Sequence, residues 1–199
     1  MVDKIDNGGF KMKTTIVYTH PWDGSFNHHV LEVTKAQLLS KGHDVDVIDL
    51  HQDGFDPAFH AEDLKLFGKG EYNDPKAEDY MKRLKASDEV IFVFPVWWYG
   101  APAMLKGFFD KVFLKGHTYD MDENHNLVGK LDINKAAVFT TGNISKEIFE
   151  HIGDPINKTM IEALFGTVGI KNVTWLHCKT VHMEETRNQF LLEIEQYLK

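Results

Sequence analysis

The run Glu89-Val90-Ile91-Phe92-Val93-Phe94-Pro95 constrains this chain more than any other stretch. It offers no polar face to water, and Pro95 ends it well short of the roughly 20 residues that a membrane helix needs. Such a run suits a strand buried on both faces of a parallel sheet. Parallel strands need crossover connections, so helices must lie between them. The sequence supplies both. Thr14 to Thr19, β-branched and aromatic, reads as a first strand, and Phe26, Val30, Val33 and Gln37 fall in helical register after it. Gly42 ends that helix, and Asp44 to Leu50 reads as a second strand. Residues 51 to 75 look irregular, with a short helix from Ala61 to Phe67.

The alternation continues to the end of the chain. Ala77 to Ser87 has one apolar face, formed by Tyr80, Met81 and Leu84, and leads into the Glu89 strand. Pro102 is placed to start a helix that carries Met104, Leu105, Phe108, Phe109, Val112 and Phe113. After a polar loop come a strand at Ala136 to Thr141, a helix at Ile156 to Val168, a strand at Val173 to His177 and a helix at Glu184 to Leu198. Five strands each followed by a helix predict an α/β fold, a doubly wound parallel sheet of order 2-1-3-4-5. In such sheets ligands bind beyond the carboxyl ends of the strands, at the switch point beside the first strand.

Composition narrows the function classes. A chain of 199 residues, 43% hydrophobic and 26% charged, suits one domain with a sizeable core, assigned to residues 12–199. Residues 1–11, with Asp3, Asp6, Asn7, Gly8 and Gly9 and no apolar stretch, read as a disordered or vector-derived leader before Met12. A net charge of -8 argues against nucleic acid and anionic membrane surfaces, which are held by clustered Lys and Arg. No run is long enough for membrane insertion. Cys178 is the single cysteine, which excludes an intrachain disulfide and suits a reducing, cytoplasmic setting. The 11 histidines include His28-His29 and a group of His177 and His182 near Cys178, but no strong ligand spacing, so no metal is assigned.

Function is therefore sought in three loops. The first, His20-Pro21-Trp22-Asp23-Gly24-Ser25-Phe26-Asn27, offers hydroxyl, amide and imidazole groups at a helix N-terminus, which favours an anion. The same residues also suit a plain helix cap. The second, Pro95-Val96-Trp97-Trp98-Tyr99-Gly100-Ala101-Pro102, sets three aromatic rings at the end of the central strand, fit for a flat ring system or for a protein interface. Gly100 reads as the residue on which that loop's backbone depends. The third, Thr140-Thr141-Gly142-Asn143, is small and polar where a backbone could approach a ring edge.

These residues resemble the NAD(P)H:quinone acceptor oxidoreductase family, the flavodoxin-like group that includes potassium-efflux ancillary flavoproteins. The resemblance is carried by His20 with Ser25-Phe26-Asn27, by Phe94-Pro95-Val96-Trp97-Trp98-Tyr99 with the segment Pro102 to Phe113, and by Thr140-Thr141-Gly142. It implies a flavin, FAD rather than FMN from Ser25-Phe26-Asn27, and NAD(P)H as donor. It places the flavin phosphate near His20, Ser25, Phe26 and Asn27, the ring along Pro95, Val96, Trp97, Trp98 and Tyr99, and its pyrimidine edge by Thr140, Thr141, Gly142 and Asn143. Hydride would pass through flavin N5 to a quinone or similar small acceptor by a ping-pong route, with no side-chain nucleophile, in a homodimer. The chain departs from the mammalian-type pattern at Asn143, where a second glycine is expected, and has no tyrosine in Ile144 to Pro155. Phe149 and His151 are the acceptor-site candidates there. Two other readings stand beside this one: a one-electron carrier of flavodoxin type, and a flavoprotein regulatory subunit of a potassium-efflux transporter.

Overall fold

The computed structural model describes residues 11–199. The expected leader thus lies outside the described residues, apart from Lys11. The order of main elements is β1 (Lys13–Tyr18), α1 (Phe26–Ser40), β2 (Asp44–Asp49), α2 (Ala61–Phe67), α3 (Pro75–Lys85), β3 (Glu89–Pro95) and α4 (Ala103–Val112). There follow β4 (Tyr119–Met121), β5 (Leu127–Gly129), β6 (Lys135–Thr141), α5 (Lys146–His151), a π-helical segment (Ile156–Phe165) running into α6 (Gly166–Val168), β7 (Val173–Cys178) and α7 (Glu184–Tyr197). Five strands form one sheet, in the order β2-β1-β3-β6-β7, and every pairing is parallel. That is the expected 2-1-3-4-5 arrangement.

β3 is buried along its whole length, and its side chains divide by parity. Ile91 and Val93 join Val30, Leu31 and Leu38 of α1 and Phe190 and Ile194 of α7 on one face. Val90, Phe92 and Phe94 join Tyr80 and Leu84 of α3, Phe108 and Phe109 of α4, and Phe165 on the other. Phe92 stacks on Phe165 with ring centroids 4.9 Å apart and meets Phe109 at 5.8 Å. Each strand side chain points to the opposite face from its neighbours, so an apolar run with no alternation feeds both cores. Among the described residues no helix is long and apolar enough to cross a membrane.

Two elements, a hairpin and α5, were not legible in the sequence, and the helix expected at 156–168 differs in its winding. β4 and β5 form an antiparallel hairpin within the stretch read as a polar loop. Its foot closes on the turn after α6, where a Cβ on Gly129 would lie 2.3 Å from the Gly169 nitrogen, so glycine is required there. Its tip, 122–126, is exposed and held by Asp122, whose carboxylate accepts from the Asn124 and Asn126 amides, both at 2.8 Å. The stretch Ile156–Phe165 winds as a π-helix, a form enriched at functional sites. α5 is a six-residue helix where no element was expected.

The irregular residues 51 to 75 are moored to α4 by a buried cation. The Lys111 side chain, 4% exposed, places Nζ 3.0 Å from an Asp74 carboxylate oxygen and 4.0 Å from Asp63. It also donates to the Asp56 carbonyl at 3.0 Å and lies 5.3 Å from the centre of the Phe55 ring. Removing one member of a buried ion pair strands its partner in a poor solvent, at a cost of about 3 kcal/mol or more. We therefore expect Lys111→Ala to lower unfolding free energy in urea by about 3 kcal/mol. A loss below about 1 kcal/mol would show that water replaces the ammonium.

Candidate functional site

Parallel pairing delivers the three loops to one edge of the sheet. The first is shaped by its own polar groups. His20 Nδ1 lies 3.1 Å from the Trp22 amide nitrogen and 3.2 Å from the Trp22 carbonyl oxygen, and that carbonyl accepts the Ser25 amide at 3.1 Å. Burial lowers the His20 pKa below its usual 6.5, partly offset by the hydrogen bond to the Trp22 backbone. Ser25 is the N-cap of α1, its hydroxyl oxygen taking the His28 amide at 3.1 Å. The first turn of this 15-residue helix holds no acidic side chain, so its positive end is unopposed from within the helix. Phe26 turns instead toward α7, 6.3 Å from Phe190 between ring centroids.

The second loop is a tight turn. Trp97 and Gly100 exchange both backbone hydrogen bonds at 3.1 Å, and the two residues between them have positive φ, 48° at Trp98 and 64° at Tyr99. Positive φ at both central positions is the type I′ pattern, which ordinarily takes Asn and Gly. The strain thus falls on Trp98 and Tyr99, while Gly100 has open space where a Cβ would stand and ordinary φ. That corrects the expectation that the loop's backbone turns on Gly100. Left-handed backbone at a bulky residue costs on the order of 1–2 kcal/mol and gathers at functional sites. The turn's own pairing does not use the Trp98 and Tyr99 amides, and Trp98 is 95% exposed. Pro95 and Val96 beneath it are buried. The His20 and Trp97 rings meet edge to face, 6.3 Å apart, joining the first loop to the second.

The third loop ties the other two together. Asn27 Nδ2 donates to Thr141 Oγ1 at 2.7 Å, and the Val96 amide donates to the Thr141 carbonyl at 2.8 Å. Thr140 points the other way, toward β7, where its hydroxyl accepts the Trp175 indole N–H at 2.8 Å. The Gly142 amide reaches the Cys178 carbonyl at 3.0 Å, and the Gly142 carbonyl takes the Val181 amide at 2.9 Å. Asn143 Oδ1 accepts from His182 Nδ1 at 3.0 Å. Of the two acceptor-site candidates, Phe149 is fully buried against Trp175 and His177, and His151 is exposed at the end of α5.

Sequence reasoning did not place Trp175, His177 or His182 at this edge. Their signal was position, since β7 lies beside β6 and its end must adjoin the third loop. Among the described residues, the Tyr18 hydroxyl, Thr19 Oγ1, Asn27 Oδ1, His28 Nδ1 and Thr34 Oγ1 are buried with no hydrogen-bond partner. The first three lie on β1 or the loop and helix start that follow it, and the other two lie further along α1. Buried polar atoms are nearly always satisfied, so the first three fit a polar ligand that is not part of the chain.

With this geometry in view, comparison with known proteins is decisive for the family. A family model described as flavodoxin-like fold matches residues 12–199. The chain belongs to the flavodoxin-like family. This flavodoxin-like chain is 29% identical over 170 residues to an uncharacterized NAD(P)H oxidoreductase, YcaK, of Escherichia coli, a match covering 83% of each chain. It is 32% identical over 123 residues to NAD(P)H dehydrogenase [quinone] 1 of Rattus norvegicus, covering 54% of this chain and 45% of the rat protein. Its structure resembles the NAD(P)H:quinone oxidoreductase of Methanothermobacter marburgensis with a TM-score of 0.84 and 28% identity, covering 95% of this chain and 98% of that one.

The buried Asn27–Thr141 bond gives this edge a direct test. Thr141→Val keeps the volume and leaves the Asn27 amide without its acceptor. We expect a loss of about 2 kcal/mol in chemical denaturation, the usual penalty for an orphaned buried donor. A change under about 0.5 kcal/mol would mean that the amide finds another partner.

Proposed function

We propose that the chain is a flavin-dependent NAD(P)H oxidoreductase that reduces quinones or similar small acceptors by two electrons, in a ping-pong cycle. We assign FAD as the flavin, with FMN as the alternative, and a cytoplasmic homodimer as the working form. One observation carries the reading: an uncompensated helix N-terminus, a strained aromatic turn and a glycine backbone meet at one edge, beside three orphaned buried polar atoms. The relatives named for NAD(P)H and quinone chemistry support it.

The residues present fit a flavin. His20, Ser25, Phe26 and Asn27 frame the α1 N-terminus, where a phosphate group is favoured by the helix dipole and free amides. Trp97, Trp98 and Tyr99 offer apolar faces to a flat ring and keep water from it, and the amides that the turn's own pairing does not use can donate to the ring's polar edge. Gly142 and Asn143 would meet its other edge, with Thr140 and Thr141 holding them from behind. Bound there, the flavin supplies electron transfer between NAD(P)H and the acceptor, and the protein binds, orients and shields it.

The homodimer reading is supported by apolar surface beside the aromatic turn. A groove of about 430 Å³ runs past Gly100 and Ala101 between Phe67, Phe109, Phe113 and Tyr119. A second copy closing over it would cover the exposed rings of Trp97, Trp98 and Tyr99.

The test is an anaerobic titration of the purified protein with NADPH and then menadione, followed across the flavin absorbance bands, after heat release and identification of the flavin. We expect bleaching straight to the two-electron-reduced form and full recovery with one equivalent of quinone. A colourless protein that cannot be reconstituted with FAD or FMN overturns the assignment. Accumulation of a one-electron-reduced form with negligible NADPH turnover would move it to an electron carrier.

A further inference from the structure

One side chain at this edge is unused by the cofactor reading. His177, on β7, touches both ends of the third loop: its Nδ1 lies 2.8 Å from Thr140 Oγ1, and its Nε2 lies 2.7 Å from the Ile144 carbonyl oxygen. A carbonyl only accepts, so Nε2 carries a proton, and in the neutral imidazole Nδ1 is then bare. The Thr140 hydroxyl then donates to Nδ1, and it accepts in turn from the Trp175 indole N–H. In the neutral ring the bonds therefore run from Trp175 to Thr140, from Thr140 to His177 and from His177 to Ile144.

Bracketed between those two contacts are Thr141, Gly142 and Asn143. A Cβ on Gly142 would stand 3.4 Å from the imidazole Cε1. The ring therefore lies against the loop it spans.

We infer that His177 is a positioning residue: as a neutral imidazole it clasps both ends of Thr141–Asn143 and sets the backbone that a bound flavin would meet. The inference rests on the proposed function only for what the loop meets, since the clasp belongs to the chain alone. Protonation would place a hydrogen on Nδ1 and reverse its bond with Thr140, whose hydroxyl would then accept and could no longer donate to the ring. The hydroxyl would have to turn to the Leu176 carbonyl, a longer contact at 3.3 Å. It would also set a cation between Phe149 and Trp175, whose ring centres lie 5.4 and 5.9 Å away.

Burial and the neighbouring Lys146 ammonium accordingly hold the His177 pKa below 6.5. An imidazole whose pKa is lowered by folding favours the folded loop above pH 6.5 and loses that support as pH falls toward its folded value. His177 lines a groove together with Lys146 and Glu147 of α5, Lys179 beyond β7, and Glu184, Glu185 and Glu193 of α7. Cys178, next on the strand, is held neutral by burial, its thiol pushed up to about 11.

The experiment compares wild type, His177→Gln and His177→Phe. Glutamine can donate to Ile144 and accept from Thr140 without titrating, whereas phenylalanine fills the space with neither ability. In the flavin-free protein, amide hydrogen exchange at residues 141–144 should quicken about tenfold or more in His177→Phe and remain near wild type in His177→Gln. Flavin dissociation constants should rise about tenfold in His177→Phe. In wild type they should weaken further between about pH 7 and pH 5 than in His177→Gln. His20 is present in all three proteins, so the difference between wild type and His177→Gln isolates His177. Unchanged loop exchange in a folded His177→Phe protein, or the same pH profile in wild type and His177→Gln, overturns the clasp. Should His177→Phe fail to fold, the comparison of wild type with His177→Gln decides alone. A wild type that binds no flavin would overturn the proposed function and leave the exchange result standing.

Discussion

The parallel pairing of β3 with β1 on one side and β6 on the other is the constraint on which the rest depends. Three strands running the same way must all end at the same edge, so three loops far apart in sequence are brought together before any of their side chains matter. The pairing holds because β3 is buried on both faces, and its side chains feed the α1–α7 layer and the α3–α4 layer in alternation. Glu89, at the entry to β3, is fully buried and still satisfied, taking the Tyr197 hydroxyl at 2.7 Å and the Lys135 ammonium at 3.0 Å. The sheet's amino edge is thus closed by polar contacts, and its carboxyl edge is left to the loops.

Those loops are held by directed bonds more than by packing. Asn27 to Thr141, Val96 to Thr141, and His177 to both Thr140 and Ile144 make a web in which each loop is fixed by another. Directed bonds hold a backbone in place while leaving one side of it uncovered, which packing cannot do. The aromatic turn carries this furthest, since its Trp98 side chain is almost wholly in solvent while its backbone sits in a sparsely populated region.

The fold was legible because its signals are redundant. Each long helix has its own apolar period, the strands read as short β-branched or apolar runs, and parallel topology follows from their order. What stayed hidden was weakly signalled or non-local. β4 and β5 have three residues each and expose Met121, Leu127 and Val128, so no period could form. The π-helical stretch looked like any helix, because its apolar spacing does not distinguish five residues from four per hydrogen bond. The site loops were legible from topology and aromatic content, but their mutual contacts were not. Asn27 and Thr141 are 114 residues apart, and nothing in either local sequence names the other. His177 drew notice as one histidine among several in search of a metal, whereas its two nitrogens are both engaged by the loop. Gly100 attracted the conformational argument by being glycine, although the left-handed backbone belongs to the two aromatic residues before it.

The hairpin of β4 and β5 divides into a part that is anchored and a part that is free. Its foot is fixed by the contact of Gly129 with Gly169, and by the bonds from the Lys130 amide to the Thr118 carbonyl and from the Leu131 amide to the Val168 carbonyl, at 2.8 and 3.0 Å. Its tip touches little beyond itself. In evolutionary terms this is an insertion point: residues can be added or removed between Asp122 and Asn126 without moving the sheet, while at the foot Gly129 is held by the close approach of Gly169 and Gly169 by its positive φ of 91°. Descendants of such a chain can therefore alter the outline of this end of the molecule by changing loop length alone, leaving the core untouched.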